Sequence, residues 1–325
     1  MATGSMTSLT LETLPRTDPR REEALRLIVT CRGESPRAAD RRIRRLLAYV
    51  DAEPVRQTVV LGATVAGRLV TASLLVGSPG RLGAVFLPRH VAHGLQHQAL
   101  IQVLEAVQNA AWALGFDLLQ VLLEAEEREQ GLVLERAGFS SLAELVYMER
   151  SAYESCPTFE PPPGVEFVSL TSAPEELFLA VLDQTYRASL DCPRLAGVRR
   201  TADVLATHRA TGRHDPAYWW VARVADRPLG ILLLAGLADR AAFEIVYIGV
   251  VPEARGQGVG DLLLERAVQV CRRNHNAGLN LAVDRENQPA RRLYRRWSFR
   301  EVNRRRAWFC ARPADLGVRS GPGKD

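Results

Sequence analysis

Alternation of apolar and polar residues over 9–14 (Leu9, Leu11 and Leu14 among Thr10, Glu12 and Thr13) predicts a first β-strand. Helical spacing follows over 21–32 and 36–50, the second helix opening on Ser35 as cap with Pro36 at its first position. Apolar runs at 58–65, 68–76 and 82–87, broken by Ala66-Gly67 and by Ser78-Pro79-Gly80, predict three strands. A long helix at 93–114, a strand at 117–123, a helix at 127–137 and a strand pair over 139–148 complete this half. After a proline-dense stretch at 155–164 the series begins again. It runs through a strand at 165–170, helices at 174–189 and 200–211, a hairpin of 219–224 with 229–234, and a strand at 243–251. A helix at 260–274, a strand at 279–284, a helix at 289–296 and strands at 299–302 and 306–311 end it.

Each half thus repeats strand, two helices, three strands, helix, strand, helix, two strands. This predicts an α/β chain (α+β mixed sheet) of two tandem domains, 9–152 and 165–312. Residues 153–164 are a semi-rigid linker, and the start 1–8 and tail 313–325 are disordered. A length of 325 residues suits two domains of about 150 residues each.

Composition narrows the class. No apolar run reaches the ~20 residues of a membrane span, and the N-terminus lacks the basic and apolar stretches of a signal peptide. Five scattered cysteines (31, 156, 192, 271, 310) without a C-x-x-C pattern fit a reduced, cytoplasmic protein. The net charge of +5 is carried by arginine, Lys324 being the sole lysine, and is compatible with an anionic ligand. Arg41, Arg42, Arg44 and Arg45 form a solvated helix face; no recognition-helix pattern accompanies them, which argues against a nucleic-acid partner. His90, His93 and His97 lack a carboxylate or thiol companion, so no metal site is assigned to them.

The chemistry concentrates where the strand 243–251 meets Pro252 and a glycine-rich turn, Arg255-Gly256-Gln257-Gly258-Val259-Gly260, that opens a helix at Asp261. Backbone N–H groups of such a turn converge on one spot, and the helix N-terminus adds partial positive charge, so the stretch suits a phosphate. The spacing Gly-x-Gly-x-Gly excludes both the P-loop and the dinucleotide fingerprint. The first half has a single glycine, Gly94, between Leu87 and His97 and is expected to bind a pyrophosphate poorly.

Arg255, Gly258 and Gly260 after an apolar strand ending in Val250-Val251-Pro252 resemble motif A of the Gcn5-related N-acetyltransferase superfamily. Asn287, Ala290 and Tyr294 match its Asn-x-x-Ala-x-x-x-Tyr, with Ser298-Phe299 in place of the usual Gly-Phe. A tandem layout with a degenerate first copy, and a glutamate eight residues before Pro252, is similar to the branch containing mycothiol synthases. The resemblance implies two acyl-CoA N-acyltransferase domains and acetyl-CoA as co-substrate. Gly249, Val250, Val251, Arg255, Gly256, Gln257, Gly258, Val259, Gly260, Asp261 and Asn287 would contact it.

An ammonium titrates near pH ~10.4, so the reaction needs a base. Glu244 is the candidate, expected on one strand face with Val246, Ile248 and Val250. An N–H near Val250 would serve the thioester oxygen, and Tyr294 would protonate the leaving thiolate. Asp191 and Arg194 are expected at the acceptor site, between the first two helices of the second copy, toward the interdomain groove. The favoured acceptor is a small primary amine, of amino-sugar or amino-acid type. Alternatives are a protein N-terminus or lysine, with Ala282 standing where relatives of that kind carry a glutamate, and a non-catalytic acyl-CoA sensor or scaffold.

Overall fold

A computed structural model describes residues 8–30, 35–51, 57–237, 241–275 and 277–313. The expectations for the two chain ends fall almost wholly outside these residues. The chain divides into two compact units, 1–141 with 307–325, and 142–306.

The first unit contains β1 (Leu9–Thr13), α1 (Arg20–Val29), α2 (Pro36–Asp51), β2 (Thr58–Val65), β3 (Arg68–Ser78) and β4 (Leu82–Phe86). It continues with α3 (Leu95–Ala113), β5 (Leu118–Glu124) and α4 (Arg128–Arg136). Ser35 caps α2 through Oγ to the Ala38 N–H at 3.4 Å, with Pro36 first in the helix. Strands β1 to β4 pair antiparallel in order, and β4 pairs parallel with β5. The last strand beside β5 is the end of β12 (Arg300–Ala311), whose Trp308 is buried against Leu119, Val121 and the α3 leucines.

The second unit takes β6 (Ser140–Arg150) from Leu142 onward as its own last strand. Then come β7 (Glu166–Ser169), α5 (Glu175–Tyr186), α6 (Thr201–Arg209), β8 (Arg213–Val224), β9 (Arg227–Gly236) and β10 (Ala242–Val250). It ends with α7 (Val259–Arg273), β11 (Gly278–Asp284) and α8 (Gln288–Arg296). The sheet order is β6-β11-β10-β9-β8-β7. Its core holds Trp219, Phe178, Leu182, Ile231 to Leu234, Leu263, Leu264 and Trp297.

Two expectations about segmentation are corrected. The closing strand pairs at 139–148 and 299–311 are single long strands, β6 and β12. The division of the chain falls within each: 140–141 of β6 and 307–311 of β12 belong to the first unit, and the rest of both to the second. The proline-dense stretch is part of the second unit, not a span between units. Arg150, 3% exposed, donates from Nε to the Trp297 carbonyl and from its terminal nitrogens to the carbonyls of Ser151, Glu154 and Ser155. Phe159 packs on the Trp297 ring at 6.0 Å.

Four elements of the second halves repeat at one spacing, while α3 and α7, starting at Leu95 and Val259, lie four residues further apart. Starts fall 160 residues apart (82 to 242, 118 to 278, 128 to 288, 140 to 300). This register lets each site residue be compared with its counterpart.

Candidate active site

The strand β10 pairs with β11 only at Ala242↔Gly278, Phe243↔Leu279 and Glu244↔Asn280, and beyond that the two part. From there β10 follows β9 as far as Val250↔Gly230, while β11 follows β6 to Asp284↔Leu145. The fork opens a cavity of about 660 Å³. Its walls are residues 245–250 of β10, Leu281 to Val283 of β11, the glycine loop, one side of α8 and the segment after α5 (Ala188 to Asp191).

Within the fork Val251 donates its N–H to the Leu229 carbonyl at 2.9 Å. Antiparallel ladders alternate the sides to which successive N–H groups point, so that of Val250 points into the cleft. This is the geometry expected of an oxyanion donor.

The loop is built by its own side chains. Gly256 and Gly258 have φ of 77° and 78°, and Gly258 is the residue before α7. An L side chain there would be strained, and a Cβ on Gly258 would meet the Glu160 carbonyl at 3.3 Å. Gly260 lines the cavity, and its missing Cβ also makes room for Leu293 of α8, 2.9 Å from the ideal Cβ position. Gly249 likewise lets α5 close on the strand, since a Cβ would lie 2.8 Å from both Thr185 and the Tyr247 ring. Val259, 1% exposed, is a core residue and offers the cleft only backbone.

Three expected ligand-contacting side chains are engaged with protein. Arg255 donates to the carbonyls of Val250, Ala188, Thr185 and Arg187 at 2.8–3.2 Å, pinning the loop to the end of α5. Gln257 donates to the Glu253 carbonyl at 2.8 Å. The Asp261 carboxylate accepts from Arg296 at 2.7 and 2.8 Å and from the Trp297 indole at 2.8 Å, tying α7 to α8. A carboxylate beside an anion site is tolerable there because Arg296 neutralises it. Arg292, exposed at the cavity mouth on the next turn of α8, is a cation that the motif did not single out.

On α8, Asn287 caps the helix through Oδ1 to the Ala290 N–H at 3.3 Å. Tyr294 is 6% exposed and lines the cavity, its ring 5.7 Å from Phe299. Burial, and then the neighbouring Asp191 and Tyr247, push its pKa up, so the phenol keeps its proton at neutral pH.

The expected face of Glu244 is corrected. A bulge between Ile245 and Tyr247 shifts the register, so Glu244 opposes Ala235, Tyr247 opposes Leu233 and Gly249 opposes Ile231. Glu244 therefore shares its face with Tyr247 and Gly249, not with Val246, Ile248 and Val250. It is half-buried at the base of the fork and outside the set of residues that line the cavity. Asp191 does line it. Arg194 sits exposed on a 3-10 turn (Pro193–Leu195), off the cavity wall.

The first copy has the same fork, its β4–β5 pairing ending at Ala84↔Gln120. At the shared spacing Ala84 stands for Glu244, Glu127 for Asn287, Gln130 for Ala290 and Leu134 for Tyr294. Gln130, 3% exposed, donates to the Pro88 and Arg89 carbonyls at 3.0 and 2.8 Å, and Leu134 is fully buried. Of the three histidines, His93 approaches Glu129 at 3.5 Å and stacks on the buried His97.

Comparisons with known proteins fit this geometry. Residues 182–299 match the model of the Acetyltransferase (GNAT) family, the stretch that holds the fork, loop and α8. A mycothiol acetyltransferase of Beutenbergia cavernae is 37% identical over 91 residues, 27% of this chain and 30% of that protein. Another, of Clavibacter sepedonicus, is 28% identical over 43% of this chain and 44% of that one. The chain thus spans less than half the length of these curated relatives. Among solved structures, a GCN5-related N-acetyltransferase from Sphaerobacter thermophilus aligns with a TM-score of 0.60 at 19% identity, covering 94% of this chain and 96% of that one. A tandem GNAT protein from the clavulanic acid biosynthesis pathway aligns at 0.56 and 18%, covering 96% and 100%. Residues 182–299 thus carry a domain of the Acetyltransferase (GNAT) family, and the chain as a whole has the fold of tandem GNAT proteins.

Proposed function

We propose that the protein transfers an acetyl group from acetyl-CoA to a primary amine, directly in a ternary complex, using the cleft of the second unit. The observation that carries the reading is the fork between β10 and β11, with the Val250 N–H directed into it and Tyr294 on its wall. The glycine loop and the N-terminus of α7 would hold the pyrophosphate through backbone N–H groups. The Val250 N–H would stabilise the tetrahedral oxyanion. Tyr294, which keeps its proton, would give it to the departing thiolate and recover one from the acylated nitrogen. Two carboxylates are the candidates to relieve the amine of its proton: Glu244 at the base of the fork, and Asp191 on the cavity wall.

The acceptor favoured is a small amine of amino-sugar or amino-acid type, since the relatives above are named mycothiol acetyltransferases. No helix among the described residues is long and apolar enough to cross a membrane.

Thiol release from acetyl-CoA with a panel of small amines tests the proposal. Wild type should release thiol with at least one amine, and Tyr294→Phe should lower kcat by about 10²–10⁴, the usual size of a general-acid contribution. Acetyl-CoA binding without thiol release from any amine or peptide N-terminus would favour a sensor or scaffold instead.

A further inference from the structure

Tyr247, Tyr294 and the carboxylate of Asp191 line one cavity. Asp191 follows α5 and lines the cavity, open to water there although protein crowds it. Its Oδ1 accepts from the Asp284 N–H at 2.9 Å, and Asp284 in turn accepts from the Cys192 N–H at 3.1 Å. This reciprocal lock between the loop and the end of β11 fixes the carboxylate, and an Asn287 side-chain hydrogen bond adds to it. Its charge is felt by Tyr186 of α5, Tyr247 of β10 and Tyr294 of α8, so it stands within the field of all three. Thr185 and Tyr247 share a 2.9 Å hydrogen bond on the same wall.

We propose that Asp191 takes the proton from the acceptor's ammonium, and that Glu244 supports the fork without touching the reacting atoms. This rests on the acetyltransferase reading of the cleft. One N–H bond of the ammonium breaks, and the proton passes to the Asp191 carboxylate. The neutral amine attacks the thioester carbon; the C–S bond breaks as the N–C bond stays. Tyr294 protonates the thiolate and recovers a proton from the acylated nitrogen, and Asp191 returns its proton to water. The net yield is amide, free thiol and one proton.

The groups facing Asp191 decide how it titrates. They are Asp284 and Asn287 beside it, Cys192 next in the chain, and the three tyrosines, with Arg199 near Tyr186 and Arg255 near Tyr247. Burial raises the Asp191 pKa most, and the Asp284 charge raises it further against the Asp284 N–H and Asn287, which lower it. A carboxyl raised above its ordinary range is a better proton acceptor for an amine than an unshifted one.

The test has two arms. In the first, a water-soluble carbodiimide with glycinamide amidates accessible carboxylates, and peptide mass mapping is done with and without acetyl-CoA. Asp191 should be modified and acetyl-CoA should protect it several-fold, with Glu244 unmodified in both. In the second, kcat/KM is followed against pH with the best amine of the panel. Asp191→Asn keeps the oxygen that accepts from Asp284, so the lock survives. It should lose the acidic limb of the profile and about 10²-fold in rate, with the acetyl-CoA Kd within about twofold of wild type. Asp191→Glu should restore the limb in part, and Glu244→Gln should retain it whatever its rate. An inert Asp191 in the first arm, or an acidic limb that persists in Asp191→Asn, overturns the inference. Absence of acetyl-CoA binding by calorimetry would instead remove the acetyltransferase reading. If no amine is turned over, the labelling arm decides alone.

Discussion

Ala290→Gln places in the second copy the side chain that fills the corresponding position in the first. In the first copy Gln130 donates to two backbone carbonyls, at 3.0 and 2.8 Å, across the space where a ligand arm would run. Ala290 lines the cavity, and at the shared spacing the carbonyls matching Pro88 and Arg89 belong to Ile248 and Gly249 of β10. A glutamine at 290 would capture the cleft-facing carbonyl and occupy the path of the pantetheine arm. If it replaces one or two hydrogen bonds to the cofactor, each worth about 0.5–1.5 kcal/mol net, the loss is about 0.5–3 kcal/mol, or roughly 2- to 150-fold in Kd. Helix stability should barely move, because the Asn287 cap acts on the backbone N–H of residue 290 and glutamine is a good helix former. Titration calorimetry with acetyl-CoA, alongside thermal unfolding, measures both quantities. A variant that unfolds like wild type and binds acetyl-CoA with unchanged affinity would refute both the path assigned to the arm and the account of why the first copy is closed.

Two further outcomes follow from strained or buried groups, and one from occupancy. Ser298 sits at φ 63° where the first copy has Gly138 at 82°; Ser298→Gly should relieve about 1 kcal/mol and raise the unfolding temperature of the second unit by roughly 2–4 °C. His208 is held neutral by burial, with Arg199 adding repulsion, and its pKa falls to about 4 from 6.5. The unfolded chain therefore binds more protons between those values, so stability falls as pH drops through that window, by about 2 kcal/mol from pH 7 to 5 for this group. Denaturant unfolding of His208→Gln at the two pH values should show that much less pH dependence, and an unchanged difference would contradict the assignment. Calorimetry of the wild type should give one acetyl-CoA per chain; two equivalent sites would mean that Gln130 and Leu134 do not close the first copy.

Much of the fold was legible because its signals are local. The unbroken apolar runs of β2, β3 and β9, the Ser35-Pro36 start and the Arg255–Gly260 turn each report on their own few residues. Segment ends were less legible in β6 and β12, where polar and half-exposed residues interrupt the apolar pattern within one continuous strand. The bulge at Val246 left no trace in the apolar pattern, so parity put Glu244 on the wrong face. Arg255 and Asp261 read as ligand contacts because the motif marks their position, not their partners.

The sequence by itself determined the tandem repeat, the glycine-rich turn that opens α7 and the Asn287 cap, since each depends on residue type at short spacing. Only the tertiary structure decided what closes across the chain. The Arg150–Trp297 clamp and the Asp191–Asp284 lock join residues 147 and 93 positions apart. Those contacts arise from burial and hydrogen-bond satisfaction after folding, which composition and periodicity do not encode. That is why the loop could be found from its glycines, whereas the carboxylate that faces the cleft emerged only from the fork around it.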